Sequence, residues 1–162
     1  MGLDTRILES LDKNAKLTAA ELAVMLGESE AAVTAEIRRM EEELIICGYP
    51  TLIDWDKTEK HCVTAMIEVK VTPQRGKGFD EIAERIYQFE EVEAVYLMSG
   101  GFDLCVMLKG TSLKSVAEFV SGKLAPMESV LSTATHFVLK KYKEHGLPLV
   151  TRTEDERMLI TP

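Results

Sequence analysis

The stretch Leu17-Thr18-Ala19-Ala20-Glu21-Leu22-Ala23-Val24-Met25-Leu26-Gly27-Glu28-Ser29 sets the architecture of the first third of the chain. Thr18 and Glu21 stand three apart, the spacing of a capping box. The hydroxyl accepts from the amide of Glu21 while the carboxylate accepts from the amide of Thr18, so a helix begins at 19. Gly27 supplies the left-handed backbone that ends it, and Ser29 caps the next helix, leaving the three-residue connection Gly27-Glu28-Ser29. Helices joined so tightly cross steeply, as in a helix-turn-helix. Leu3, Ile7, Leu8 and Leu11 recur at helical spacing before this stretch; Leu22, Met25 and Leu26 do so within it, and Val33, Ile37, Met40 and Leu44 after it. Three short helices are predicted, and the methionines, which fall mostly at core periods, read as packing.

Beyond Tyr49-Pro50 the period changes to two. A short extended piece, Thr51-Leu52-Ile53, precedes Val63, Ala65, Ile67, Val69 and Val71, with Cys62, Thr64, Met66, Glu68 and Lys70 facing the other way. That alternation predicts a half-buried strand. Residues 73–78 break it. Phe79, Ile82, Ile86 and Phe89 then mark one helical face, with Glu81 placed to pair with Arg85. Strand patterns at 94–98 and 104–108, separated by Ser99-Gly100-Gly101-Phe102, make a hairpin. Ser112 caps a second helix carrying Leu113, Val116, Phe119, Val120 and Leu124, Pro126 stops it, and a last long strand runs from about Val130 to Tyr142. Met158-Leu159-Ile160 reads as an extra edge strand.

This order predicts an N-terminal winged helix-turn-helix with an all-α core, followed by a C-terminal α+β ferredoxin-like βαββαβ domain. The boundaries are residues 1–49 for the helical domain, 50–61 for the linker strand and connection, 62–145 for the sheet domain and 146–162 for the tail. Composition agrees with a soluble globular chain: 162 residues, 46% hydrophobic and 28% charged, with 10 Gly and 5 Pro scattered through it. No apolar run reaches the roughly 20 residues that cross a bilayer, and an acid follows Met1-Gly2-Leu3 where a signal peptide carries positive charge; a cytoplasmic protein is expected. Cys47, Cys62 and Cys105 are widely spaced in apolar stretches and read as buried thiols. His61, His136 and His145 lack companions at ligand spacing, so neither a metal nor any other cofactor is expected.

A helix-turn-helix of about 50 residues joined through Ile45-Ile46-Cys47-Gly48-Tyr49 to a ferredoxin-like domain resembles the leucine-responsive and asparagine-responsive regulator (Lrp/AsnC) family of transcription factors. The resemblance rests on Leu3-Asp4-x-x-Ile7-Leu8, Leu17-Thr18-x-x-Glu21-Leu22-Ala23, Ile37-Arg38-Arg39-Met40-Glu41, Gly48-Tyr49, the hairpin Ser99-Gly100-Gly101-Phe102-Asp103 and Thr133-x-Thr135. It implies an N-terminal reader of double-stranded DNA and a C-terminal module that senses a small effector, often an amino acid. It also implies a homodimer assembled further into tetramers or octamers. Edge strands paired between subunits would shed the liability of an exposed sheet edge, and a twofold dimer would present two reading helices to successive major grooves.

Charge opposes that reading. The net charge is −8, and residues 1–54 hold eleven acids against five bases; a DNA reader is normally basic. With Val33, Ile37 and Met40 turned inward, Ser29, Glu30, Ala32, Thr34, Ala35, Arg38 and Arg39 are the candidates for groove or backbone, and Lys16 and Lys13 can touch phosphate. Glu30 and Glu36 oppose a phosphate unless they accept from a cytosine amine. Two or three phosphate contacts per subunit bind weakly, but linking several readers raises avidity by roughly 10² to 10⁴. DNA binding is therefore expected to depend on oligomerisation.

For the effector, Ser99, Gly100, Gly101, Phe102 and Asp103 are candidates, Asp103 for an ammonium group, with hydroxyls from Thr133 and Thr135. Taken alone, the glycines fit a turn that needs them, and the threonines fit ordinary strand positions. Trp55 reads as packing beside the linker, and Glu41-Glu42-Glu43 as a solvated helix end. An alternative keeps the sensor and the oligomer without DNA recognition, as an effector-binding subunit that tempers relatives by co-assembly. An enzyme is not expected: Ser-His-Asp, Cys-His and paired-carboxylate constellations, P-loops and G-x-G-x-x-G are all missing from the sequence, as is the histidine- and arginine-rich pocket of the sirohaem decarboxylases that resemble this family.

Overall fold

A computed structural model describes residues 1–72 and 78–149, and the chain divides into two compact units, Met1–Thr51 and Leu52–Pro162. The first unit holds α1 (Leu3–Lys13), α2 (Ala19–Leu26) and α3 (Glu30–Glu42). The capping box forms as expected. The Thr18 amide donates to Glu21 Oε2 at 2.8 Å, and the Glu21 amide donates to Thr18 Oγ1 at 3.2 Å. The bond from the Thr18 amide, then that from its hydroxyl, holds the Glu21 carboxyl below its ordinary pKa. Gly27 ends α2 at φ 69°, and Ser29 Oγ accepts from the Ala32 amide at 3.2 Å. Arg6 on α1 braces the turn, donating to the Leu26 carbonyl and, at 3.1 Å, to Glu28 Oε1.

Ile7, Leu22, Val33 and Met40 are fully buried between the three helices, with Leu11 and Ala23 beside them. Each large side chain contributes about 1.5–3 kcal/mol of transfer free energy. Two apolar residues depart from the helical reading. Met25 is 61% exposed because Leu22, Ala23 and Leu26 fill the inward side of a two-turn helix. Leu44 lies beyond the end of α3 at φ 55°, outside the helical period, and is also exposed. The expected wing is not formed among the described residues. Thr51-Leu52-Ile53 joins no ladder, and the preceding Pro50 has no N–H to offer one.

The second unit opens with a single 3₁₀ turn (Trp55–Lys57) and builds β1 (Val63–Val71), α4 (Phe79–Tyr87), β2 (Val92–Leu97), β3 (Leu104–Gly110), α5 (Leu113–Phe119) and β4 (Val130–Phe137). The sheet is antiparallel in the order β2-β3-β1-β4, with Ile67 opposite Val106 on one side and Thr135 on the other. Ala65, Ile67 and Val69 face α4 and α5, where Ile82, Ile86, Val116 and Phe119 cover them together with Leu104, Val106 and Leu108. Phe89 meets Phe119 edge to face at 5.3 Å. The Glu81–Arg85 pair closes at 2.9 Å on α4. Ser112 and Ser115 form a reciprocal cap on α5, and a wider helical turn, Val120–Leu124, ends that run before Pro126. Leu113, in the first turn of α5, is exposed rather than packed.

β4 ends sooner than its sequence pattern. The Val138 amide donates to Thr64 O at 2.9 Å, but β1 begins at Val63, so the chain beyond has little strand left to pair with. It folds back instead as a small hairpin, β5 (Lys143–Glu144) with β6 (Leu147–Pro148), turned at His145 and Gly146 with φ of 46° and 77°. The cysteines differ from one another. Cys105 is buried, and burial followed by the nearby Glu68 charge raises its thiol pKa. Cys62 is half-buried, whereas Cys47 is exposed on the segment leaving α3. Among the methionines only Met40 is fully buried in the described residues; Met66 and Met107 lie half-buried and paired on the sheet face away from the helices. The suggested strand at Met158-Leu159-Ile160 lies outside the described residues.

Candidate functional site

The exposed side of α3 carries Glu30, Ala31, Thr34, Ala35 and Arg38, which together line a shallow depression. Their spacings of three and four residues put them on one stripe. Thr34 and Arg38 also border a neighbouring cleft with Leu11, Leu17, Ile37, Glu41 and Tyr49. The Tyr49 hydroxyl donates to Glu41 Oε1 at 2.8 Å, and partial burial, then that carboxylate, raises the pKa of the phenol. Ala31 escaped the sequence reading, although its four-residue offset from Ala35 was a usable signal.

The two arginines have different environments. Arg39 is held on its own helix by Glu36, with Nη2 to Oε1 at 2.6 Å, and by Glu43 one turn later. The hydrogen bond to Arg39 lowers the Glu36 pKa, and the same contact raises that of Arg39. Arg38 is exposed and, among the described residues, has no carboxylate at ion-pair distance. Lys13 and Lys16 are likewise exposed and unpaired, while Ser29 is occupied as the N-cap of α3.

In the second unit, Ser99, Gly100 and Gly101 are exposed at the β2–β3 hairpin, and Phe102 and Asp103 are half-buried. Gly100 sits at φ 150°, which L side chains rarely adopt; Gly101 has no such constraint, and an added Cβ there would meet open space. The turn therefore accounts for the first glycine and not the second. Asp103 is already engaged: Oδ2 accepts from the Val71 amide at 2.8 Å, and its own amide donates to Val69 O at 3.1 Å. Thr133 stands opposite Val69 on the other side of β1. The hairpin and Thr133 thus share one end of the sheet at about two strand spacings, roughly 10 Å. Thr135 is two residues farther along, opposite Ile67, and shares the helix-facing side with Thr133.

The sheet face away from the helices places Met66 beside Met107 and His136, and Glu68 beside Cys105 and Ala134. Glu68 Oε1 lies 3.2 Å from His136 Nε2. Trp55 packs within this unit under the ammonium groups of Lys60 and Lys109, at 4.8 and 5.1 Å from its ring centre.

Comparison with known proteins adds an independent line. Residues 2–41 match the AsnC-type helix-turn-helix domain, and residues 64–148 match the Lrp/AsnC ligand binding domain. The HTH-type transcriptional regulator YugG of Bacillus subtilis (strain 168), itself uncharacterized, is 51% identical over 160 residues, covering 98% of this chain and 96% of its own. The regulator LrpA of Pyrococcus horikoshii is 31% identical over 140 residues, covering 86% and 96%. A transcriptional regulator from Neisseria meningitidis, solved as an L-Met complex, superposes with a TM-score of 0.71 at 23% identity, covering 92% of this chain and 96% of that one.

Proposed function

Because the chain belongs to the Lrp/AsnC family of helix-turn-helix transcriptional regulators, we propose that it binds double-stranded DNA through the α3 stripe and is tuned by a small amino acid at the β2–β3 hairpin. The observation that carries the DNA assignment is Arg38: an unpaired cation on the exposed stripe, next to Thr34, on the second helix of the turn. Its guanidinium suits a guanine edge or a phosphate, and Thr34 suits a base edge or a thymine methyl. Lys16 adds a phosphate contact, while Ser29 and Ala35 set how closely α3 approaches the groove. Arg39, held by two glutamates, shapes the helix end more than it meets DNA.

The effector assignment rests on Gly101, whose missing side chain the turn does not require, two residues from Asp103; Thr133 and, farther along β4, Thr135 are the proposed hydroxyl donors across β1. The L-Met bound by the Neisseria relative points to an amino acid as the ligand class. A second copy of the chain is the natural cover for the methionine-bearing sheet face, giving a homodimer that assembles further to a tetramer or octamer. Such a regulator works in the cytoplasm, and among the described residues no helix is long and apolar enough to cross a membrane. It does so as a regulator rather than an enzyme.

The acidic first unit favours one other reading, a co-assembly subunit that senses effector but binds DNA little. Gel retardation of the gene's own upstream region across a salt series separates the two. Retention that weakens as salt rises supports the reader; no retention by the assembled protein at low salt leaves only the sensor.

A further inference from the structure

The reading unit is poor in usable cations: within Met1–Thr51 only Lys13, Lys16 and Arg38 stand unpaired, since Arg6 and Arg39 are spent on Glu28, Glu36 and Glu43. The second unit holds a local exception to the acidic surface. Residues 138–149 carry Lys140, Lys141 and Lys143 against the single Glu144. The structure folds residues 142–149 into a hairpin, because β5 and β6 pair and the Leu149 amide donates to Tyr142 O at 3.0 Å, with Lys140 and Lys141 on the chain that leads into it. Lys57 joins the hairpin by donating to Leu149 O at 3.2 Å, with Asp54 at 3.0 Å as its counter-ion. Lys141 is neutralised by Glu144 at 3.1 Å. Lys140 and Lys143 are exposed and, among the described residues, have no carboxylate partner; the Lys140 ammonium rests 5.1 Å from the ring centre of Tyr142, itself 65% exposed.

We propose that this lysine-rich segment is a second DNA-contacting surface, in which Lys140 and Lys143 meet backbone phosphates of double-stranded DNA. The proposal rests on the DNA-binding function argued above. The turn His145-Gly146 closes the hairpin that carries Lys143, and Lys140, two residues before the first paired position, rests on the Tyr142 ring. Ammonium groups are compact point charges that serve backbone contact without base readout. The hairpin therefore adds affinity and salt dependence while leaving sequence preference to α3.

The test is fluorescence anisotropy of the full-length protein with a labelled duplex from its own upstream region, and with a scrambled duplex of equal length, over 50–300 mM KCl. Each lost phosphate contact lowers the log–log salt slope by about 0.9. K140A/K143A is expected to reduce the slope by nearly two per bound chain, K140E/K143E to weaken binding of both duplexes alike, and K140R/K143R to restore wild-type values. An unchanged slope in both the alanine and glutamate variants, while wild-type protein binds, overturns the hairpin proposal and leaves the α3 reading intact. Failure of wild-type protein to bind overturns both. If the variants alter particle mass in DNA-free sizing runs at unchanged slope, the hairpin serves assembly and the proposal falls.

Discussion

Arg39 and Glu36 are locked together on α3, guanidinium Nη2 to carboxylate Oε1 at 2.6 Å, while Arg38 beside them lines an exposed stripe and has no counter-ion among the described residues. Under the proposed function, adjacent arginines on one helix have separable roles. One neutralises two glutamates that would otherwise repel a phosphate; the other remains free to meet it.

Arg38→Ala should weaken retention of the upstream fragment and reduce the salt slope by about one per chain without changing thermal stability. Arg39→Ala should leave a steeper apparent penalty at low salt, where Glu36 and Glu43 are unscreened, and should lower helix stability. Measured isotherms at 50 and 200 mM KCl check this, and equal effects of the two substitutions at both salts would refute the division.

Gly100 and Gly101 should respond differently to alanine. Gly100→Ala forces a side chain onto an unfavourable backbone and should lower the melting temperature, whereas Gly101→Ala places its Cβ in open space and should not. If the hairpin binds an effector, Gly101→Ala should nonetheless abolish the thermal shift produced by the active amino acid, since ligand binding raises stability by mass action. Retained shifts in Gly101→Ala would return this glycine to the turn.

Asp103 anchors β1 as well as any ammonium. Asp103→Ala strands the Val71 amide and should cost about 1–3 kcal/mol in urea unfolding. Asp103→Asn keeps an oxygen acceptor and removes the charge, so it should unfold near the wild type yet lose most of its amino-acid response. A full response in a well-folded Asp103→Asn protein removes the carboxylate from the site.

The acid limb of stability should carry the imprint of Glu21 and Glu36. Hydrogen bonds from Thr18 and from Arg39, respectively, depress their folded-state pKa values. Their contribution is present above the ordinary carboxylate value of about 4.3 and is lost as pH falls through the lowered folded values. Glu21→Gln should flatten the decline below about pH 4.5 as measured by helix melting. Thr18→Ala, which removes the N-cap, should lower stability by about 1 kcal/mol at neutral pH.

Local chemistry made the helix-turn-helix legible. Thr18, Glu21, Gly27 and Ser29 each act on neighbours within three or four residues, and each takes the predicted conformation. The alternation from Val63 to Val71 likewise gave β1 and its buried side. Most of what stayed hidden depends on partners distant in sequence. β4 ends where β1 begins, which no pattern within 130–142 records. Asp103 is claimed by the Val71 amide thirty-two residues away, and Arg39 is claimed by acids that a helical wheel places nearby but that charge counting alone treated as opposition. Met25 and Leu44 show the limit of periodicity: an apolar residue at helical spacing is buried only where a second element covers it.

Trp55, the chain's single tryptophan, lies within the sheet-bearing unit between the Lys60 and Lys109 ammonium groups. Its emission is thus a built-in gauge of its surroundings in that unit, whereas far-ultraviolet ellipticity sums the helices of both units, α1 to α3 together with α4 and α5. Following both signals through one denaturation series shows whether the helix-turn-helix and the sheet-bearing unit melt together or apart, and a candidate amino acid can be scored on the tryptophan signal without a label.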